Sequence, residues 1–478
     1  MPYRKGERRQ SILFPQSIDE YIKEDDPVRV YDAFVEALDF DELGIVIDEH
    51  QVGNPPYYPK SLMKLLLYGY SYGERASRKL ERATHHNLSF IWLMEGLKPD
   101  HKTISKFRRD NKTALKKVMK ECARLCIKLK LIEGNTLFVD GSKIRANASI
   151  KNTWTEERCH KYLEKIDRRI DEILQECEEQ DELEKDMDSM VQMEKELTDK
   201  QALKEKITGV LAEIKAGEKK ALNSVDPDCV RIKGRQGSHA GYNGQIVVDE
   251  QHGLIVNSDV AAENNDLNQF SSQISQAQEV MGKKCETACA DAGFANTEDL
   301  KEPDAAGITV IVPSQKQAGK QEPSEFAKER FKYDKEKDEY ICPEGQILRF
   351  SHLIKSKHQR MYGIGKGEIC QSCQSRLGGR KCTQSKNGRW VSRLENEEIK
   401  EKLERQYASL KGQEIYKLRQ TKVELPFGHI KRNLKVGGFL LRGKEGVKAE
   451  MSLLSSCFNI ARMITILGVI GAIAQLKT

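Results

Sequence analysis

The chain has 478 residues, of which 32% are charged and 38% are apolar, with a net charge of +6. This length exceeds one ordinary core and predicts two or three domains of a soluble, helix-rich protein. The N-terminal segment has no apolar signal core, so we expect no secretion, and the 12 cysteines are expected to be free thiols or metal ligands rather than disulfides. The longest apolar stretch, residues 463–476, is shorter than the roughly 20 residues of a spanning helix, which predicts a core helix and no membrane.

Charge is unevenly distributed. Residues 151–220 contain 14 Lys/Arg and 20 Asp/Glu, so the rest of the chain is more basic than the total suggests. A basic body with one acidic insert favours a polyanionic partner.

Residues 1–130 are predicted to be helical. Within them, the segment DHKTISKFRRDN (Asp100–Asn111) predicts a helix capped by Asp100. Two short helices before a basic helix resemble a helix-turn-helix arrangement, and a solvated basic helix end is the alternative. The candidate DNA-binding residues of this helix are Lys102, Lys106, Arg108 and Arg109.

The segment LFVDGSKIRANAS carries the first candidate catalytic residue. Leu137–Val139 predicts a buried strand that ends on Asp140, and Gly141 follows. A carboxylate at the end of a buried strand is costly unless it is paired or holds a cation, although Asp-Gly is also a common turn pair. Lys143 and Arg145 follow as candidate DNA contacts.

The middle of the chain alternates between helix and strand. Residues 151–222 predict a helical hairpin or coiled-coil insertion, followed by a glycine-rich basic stretch at 231–244. Residues 245–249 and 254–260 predict an antiparallel hairpin, and Asn265 or Asp266 is expected to cap a helix through Val280. A second short strand then ends on a carboxylate, Asp291, and residues 308–312 predict a further strand.

Residues 313–395 are predicted to be loop-like. They contain a Cys-x-x-Cys pair, Cys370 and Cys373, which is typical of metal sites, and Cys342 and Cys382 could complete four thiolates around zinc. A set of reduced, partly buried thiols is the alternative.

The last segment carries Glu424 and Lys431, which share one face if their helix is continuous through Pro426. Asp140, Asp291 and Glu424 together could hold two divalent ions, and hard oxygen ligands select Mg²⁺ or Mn²⁺. Such a pair activates a water or a 3′-hydroxyl for in-line phosphoryl displacement.

Four motifs together resemble bacterial insertion-sequence transposases with an acidic DDE triad, of the IS-eleven-eighty-two-like branch. They are the block from PKSLMKLLLYGY through DHKTISKFRRDN, then FVDGSKIRANAS, ADAGF and VELPFGHIKRNLKVGGF. The resemblance implies an RNase H-like catalytic fold whose triad is Asp140, Asp291 and Glu424. It also implies a tyrosine, arginine, glutamate, lysine pattern at Tyr416, Arg419, Glu424 and Lys431, with Tyr416 and Arg419 near DNA.

The resulting prediction is a mixed α+β chain: a helical DNA-binding domain (1–130), an RNase H-like core (131–150 and 223–312), a helical insertion (151–222), a cysteine-containing insertion (313–395) and a helical C-terminal part of the core (396–478). The expected activity is cut-and-paste transposition on double-stranded DNA, at inverted-repeat ends and a target. We expect a cytoplasmic homo-oligomer, at least a dimer on DNA. An inactive zinc-containing DNA-binding regulator and an RNase H-like nuclease without strand transfer are the alternatives.

Overall fold

A computed structural model describes residues 17–47, 56–181, 187–217, 219–234, 237–319, 326–355, 358–373 and 382–477. The chain divides into two compact units. The first comprises Met1–Asp266, Gln273–Cys285 and Gln420–Thr478, and the second comprises Leu267–Ser272 and Glu286–Arg419. The mixed α/β content agrees with the predicted class.

The N-terminal part of the first unit is helical, as predicted. A 3-10 helix (Ile18–Tyr21) precedes α1 (Val28–Glu36), α2 (Phe40–Leu43), α3 (Pro59–Ser71), α4 (Ser77–His86), α5 (Leu88–Leu93), α6 (His101–Asp110) and α7 (Lys112–Lys128). Asp100 caps α6, since its carboxylate accepts the N–H of Thr103 at 2.7 Å. Helix α3 is buried along most of its length and forms the core of these helices.

The strand that carries Asp140 is longer than predicted. β1 (Thr136–Arg145) does not end at Asp140, because β5 (Gly237–Asp249) pairs with it antiparallel as far as Arg145 opposite Gly241. The partner strand supplies hydrogen bonds for the whole segment, and this outweighs the turn preference of Asp-Gly. Asp140 therefore lies within a strand.

Two more strands pair antiparallel with β5. They are β4 (Val230–Gly234) and β6 (Ile255–Ala261), so the predicted hairpin is confirmed. The stretch at 231–244, predicted as a glycine-rich segment, instead supplies β4 and the first half of β5. The predicted helix begins later, as α10 (Phe270–Met281), and the carboxylate of Asp299 accepts the N–H groups of Phe270 and Ser271 in place of a cap by Asn265 or Asp266.

Two long helices, α8 (Glu156–Asp181) and α9 (Met187–Ala216), form a hairpin in the region predicted as a helical insertion. At its base, β2 (Thr153–Trp154) pairs antiparallel with β3 (Leu222–Asn223). The hairpin has its own small core of buried side chains: Cys159, Ile166, Ile207, Val210, Ile214 and Leu222.

The second unit begins with a parallel pair, β7 (Thr287–Cys289) and β8 (Thr309–Ile311), connected by α11 (Thr297–Ala305). The short helix α12 (Gln315–Ala318) follows. A crossover helix between parallel strands is the usual connection, because no short turn can join them.

The prediction that residues 313–395 are loop-like is wrong. A five-stranded antiparallel sheet forms from β9 (Lys332–Asp334), β10 (Glu339–Ile341), β11 (Ile347–Ile354), β12 (Gln359–Gly363) and β13 (Trp390–Leu394). Helix α13 (Gly367–Ser372) precedes β13, and α14 (Glu397–Ala408) follows it. The sheet has a core of its own, formed by Phe331, Tyr340, Leu348, Tyr362 and Val391.

The two last helices are α15 (Leu410–Arg432) and α16 (Lys444–Leu476). Helix α15 is continuous through Pro426, which the sequence left open. Helix α16 is buried along most of its length as far as Met463. The stretch 463–476, which was predicted to be a core helix, is partly or fully exposed at most positions, and Gly468 interrupts its helical dihedral angles. Among the described residues, α16 has the length and composition of a membrane span, which is weak evidence because core helices meet the same criteria.

A buried ion pair joins the N-terminal helices to α16. Glu450 is fully buried, and its Oε1 lies 2.6 Å from Nη1 of Arg75. Its Oε2 accepts the N–H groups of Leu440 and Leu441 at 2.8 and 2.9 Å. Arg75 also donates to the carbonyl oxygen of Gly438. The pair therefore fixes the loop between α15 and α16 as well as two helical segments.

Candidate active site

In the first unit, Asp140 lies beside a serine and a lysine. Asp140 and Ser142 are two residues apart on β1, so their side chains project from the same face of the strand. The ammonium of Lys431, on α15, donates to Ser142 Oγ at 2.6 Å. Burial lowers the pKa of Lys431, and the negative charge of Asp140 opposes that shift. Ser142 was not predicted, although its position two residues after Asp140 was a usable signal.

Glu424 lies on the same helix as Lys431. Their separation of seven residues is about two helical turns, so the continuity of α15 places both on one face, roughly 10 Å apart along the axis. Glu424 is exposed, and its Oε1 accepts a hydrogen bond from Gln420 at 3.3 Å. Glu424 therefore lies on the same face of α15 as Lys431, whose ammonium contacts β1.

In the second unit, Asp291 follows β7 and caps the 3-10 helix Ala292–Phe294. Its Oδ1 accepts the N–H of Gly293 at 2.8 Å, and its Oδ2 lies 3.2 Å from Nη2 of Arg419. The Arg419 side chain is only 11% exposed, whereas that of Asp291 is 41% exposed. The guanidinium therefore neutralises a carboxylate that solvent can still reach.

Tyr416 belongs to the same group in the second unit. Its ring meets Tyr407 edge to face at 5.0 Å, and burial raises the pKa of its hydroxyl while the charge of Arg419 opposes the shift. Two residues of the predicted tyrosine, arginine, glutamate, lysine pattern thus accompany Asp291, and the other two lie in the first unit.

A polar network on the other face of β1 was missed from the sequence. Asp266 Oδ1 accepts hydrogen bonds from Lys143, Asn243 and Gln245 at 3.0, 2.7 and 2.8 Å. A Cβ at Gly141 would overlap Asp266 Oδ1 and would lie 2.6 Å from Gln245 Nε2. The residue after Asp140 must therefore be glycine for this network to form. Asp266 was predicted as a helix cap, and Lys143 as a DNA contact.

The predicted DNA-binding side chains differ in exposure. Lys102, Lys106 and Arg109 are exposed on α6. Arg108 is buried and donates to the carbonyl oxygen of Arg75 at 2.7 Å, so its placement corresponds to a packing role. Arg145 is exposed at the end of β1.

The four predicted zinc ligands line one small cavity of about 40 Å³ in the second unit. They are Cys342, Cys370, Cys373 and Cys382. Backbone N–H groups of Gln346 and Arg389 each donate to a cysteine sulfur, of Cys342 and Cys370 respectively, at 3.3 Å. Burial raises the pKa of Cys382, and Arg389 opposes this shift. In the described part of the chain, no three Cys, His, Asp or Glu side chains are close enough to form a metal-ligand group.

Two family models match the chain. The family described as "Transposase DDE domain" matches residues 341–464, and that described as "Transposase domain (DUF772)" matches residues 16–110. Together these matches indicate an insertion-sequence DDE transposase. It is therefore an enzyme of the polynucleotidyl transferase and endonuclease class. No curated protein and no solved structure matches the chain.

The two matches cover different parts of this transposase. The DDE-domain match includes Glu424, Lys431 and the cysteine cavity, and the other match includes α6. Asp140 and Asp291 lie outside both matched ranges, so their roles depend on their positions in and after the two strands.

We predict that Gly141→Ala destabilises the first unit by roughly 1–3 kcal/mol, because the added methyl group overlaps the Asp266 network. Adding Asp266→Ala should recover part of this loss. The free energy of unfolding, measured by circular dichroism in urea, should therefore fall less in the double mutant than the sum of the two single changes predicts. Gly428→Ala is the matched control, since nothing lies near its Cβ position and the change in a helix should stabilise by about 0.5–1 kcal/mol. Strict additivity of the two changes at 141 and 266 would contradict the overlap.

Proposed function

We propose that this transposase binds the inverted-repeat ends of its insertion sequence, cleaves DNA there and joins the 3′-hydroxyls to target DNA. The observation that carries the proposal is the position of Lys431, which connects the helix of Glu424 to the strand of Asp140. A cation there suits a polyanionic strand held next to carboxylates. The specific branch inferred from the sequence, the IS-eleven-eighty-two-like one, is part of the proposal.

The order of elements supports an RNase H-like core. Antiparallel β1, β5 and β6 come first, α10 follows, and the parallel pair β7 and β8 comes next. Asp140 lies in β1, Asp291 follows β7, and Glu424 lies on α15. In this proposal the three carboxylates belong to one catalytic centre.

Asp140, Asp291 and Glu424 are proposed to hold two Mg²⁺ or Mn²⁺ ions. Carboxylate oxygens fit such hard cations, and solvent reaches Asp291 and Glu424. Bound ions would supply activation of the attacking hydroxyl and stabilisation of the leaving oxygen. Arg419 holds Asp291 in place by an ion pair, and Lys431 is proposed to bind a phosphate of the cleaved strand.

The first test replaces each carboxylate by its amide: Asp140→Asn, Asp291→Asn and Glu424→Gln. Each change keeps the side-chain shape but removes a charge, so cleavage in a gel assay should fall by orders of magnitude while DNA binding persists. Lys431→Ala should reduce cleavage less. Glu414→Gln is the matched control, because Glu414 is exposed on the same helix as Glu424.

Substantial cleavage by any amide variant would remove that residue from the proposed metal site. A wild-type protein that binds ends without cutting them would favour the inactive regulator. Cleavage without joining would favour the nuclease. We also propose that the protein acts in the cytoplasm and forms at least a dimer on DNA. Light scattering of the complexes with DNA ends measures this oligomeric state.

We propose that α6 contacts DNA through Lys102, Lys106 and Arg109. Replacing all three by Ala should flatten the dependence of binding on salt by roughly one unit of slope for each phosphate that the variant no longer binds. The matched control replaces three exposed lysines of the second unit, Lys332, Lys335 and Lys337, and should leave the slope unchanged.

Arg108→Ala separates the two roles found on α6. Because Arg108 is buried and bonded to Arg75, its loss should lower the unfolding temperature and leave the salt slope unchanged. An unchanged salt slope in the variant that lacks Lys102, Lys106 and Arg109 would refute the proposal that α6 contacts DNA. Arg145 and Tyr416 remain proposed DNA contacts. Lys143 forms an ion pair with Asp266, which would have to break before Lys143 could contact DNA.

We propose one structural zinc ion bound by Cys342, Cys370, Cys373 and Cys382. The shared cavity exceeds the ~10–15 Å³ that one water needs, and N–H···S hydrogen bonds suit thiolate ligands. The four cysteine side chains would have to move to coordinate the ion, because the described residues do not form a metal-ligand group.

Protein purified under reducing conditions should therefore contain about one zinc per chain by elemental analysis. Cys373→Ser should lose the zinc and lower the unfolding temperature, because a ligand is removed. Cys285→Ser is the control, since Cys285 is a buried thiol outside the cavity. Wild-type protein free of zinc would end this proposal.

A further inference from the structure

The first unit contains a cavity of about 510 Å³ that the proposed chemistry does not use. It lies between the N-terminal helices, the end of α15 and α16, and its lining includes Asp26, Tyr31, Tyr68, Tyr72, His429 and Asn433. We propose that this cavity binds an unpaired nucleobase of the DNA, stacked on Tyr72. The inference rests on the proposed action on DNA and adds a base-binding site to it.

Tyr72 has the properties of a stacking platform. Its side chain is 54% exposed, although two largely buried rings hold it in place. Phe90 meets it edge to face at 5.9 Å, and Tyr68 lies 6.0 Å away at a tilt of 36°. An exposed aromatic ring with a fixed orientation offers a surface on which any base can stack without first being ordered.

Polar groups around the cavity suit the edge of a base. Burial lowers the pKa of His429, which favours the neutral imidazole. Its Nδ1 lies 3.0 Å from Asn433 Nδ2, which donates to it and leaves the imidazole proton on Nε2. Asp26 accepts the N–H of Val28 through Oδ1, and Asp26 is also among the residues that line the cavity. Donors and acceptors are thus both present beside the aromatic rings.

Positive charge lies where the backbone of a bound nucleotide would continue. The aliphatic stem of Lys435 packs near Gly73, the residue after Tyr72, within 3.1 Å of the Cβ position there. Lys435 adopts a left-handed φ of 54°, an uncommon conformation for a residue other than glycine, so the fold holds it in this position. Arg432 is exposed one turn away at the end of α15. An aromatic cavity with polar groups at its edge, beside two cations, matches a base and its phosphates.

The test measures the affinity of the full chain, without divalent metal, for three short duplexes by fluorescence anisotropy. One duplex is fully paired, one carries a single bulged adenine, and one carries an abasic bulge at the same position. The wild-type protein should bind the adenine bulge roughly 5- to 150-fold more tightly than the abasic bulge, which is the range expected for one base stacked on one aromatic ring. The abasic duplex controls for the flexibility of a bulge.

Tyr72→Ala should abolish the preference for adenine, and Tyr72→Phe should retain it. Tyr58→Ala is the matched control, because Tyr58 is 42% exposed at the opposite end of α3, about 20 Å away, and is not among the residues that line the cavity. Equal wild-type affinity for the two bulged duplexes, or a preference that survives Tyr72→Ala, overturns the base-binding site.

Failure of the underlying function is a different result. Wild-type protein that binds none of the duplexes would contradict the proposed action on DNA, whereas binding of the paired duplex without discrimination contradicts only the cavity assignment. If Tyr72→Ala does not fold, the comparison of the adenine and abasic bulges in the wild-type protein still decides the proposal.

Discussion

The buried pair of Glu450 and Arg75 is the constraint on which the first unit depends most. A carboxylate removed from water is costly, and burial raises the pKa of Glu450 while Arg75 opposes that shift. Both carboxylate oxygens are satisfied, one by the guanidinium and one by two backbone N–H groups. Loss of either partner would leave a buried charge, so the loop before α16 and the N-terminal helices keep their positions together.

Local patterns were sufficient for the helices and for the short strand before Asp291. They failed where a distant partner decides the structure. The Asp-Gly pair at 140 and 141 predicted a strand end, yet β5 continues the pairing to Arg145. Pro426 left the continuity of α15 open, and tertiary packing of its neighbours Val423 and Phe427 keeps the helix intact.

The sequence proposed the acidic residues of the candidate site, but it gave no indication of the side chains that surround them. Asp266 looked like a helix cap because short polar residues before a helix commonly serve as caps, and its pairing with Lys143 depends on a contact over 123 positions of sequence. The sheet that carries the cysteines was missed for a similar reason. Its strands are short and separated by polar turns, so its core becomes visible only when Tyr340 and Tyr362 meet across strands.

The helical hairpin after β1 has a consequence for the order in which the chain folds during synthesis. β1 can pair with β5 only after the chain as far as Asp249, the partner of Leu137, has been made. Closing the long loop between the two strands costs conformational entropy. Contacts between α8 and α9 span fewer residues than those between β1 and β5, and the pairing of Trp154 with Leu222 closes the base of the hairpin. The emerging chain can thus shorten the gap between the two strands before the sheet forms, so the insertion delays the pairing of β1 and β5 far less than its length alone would.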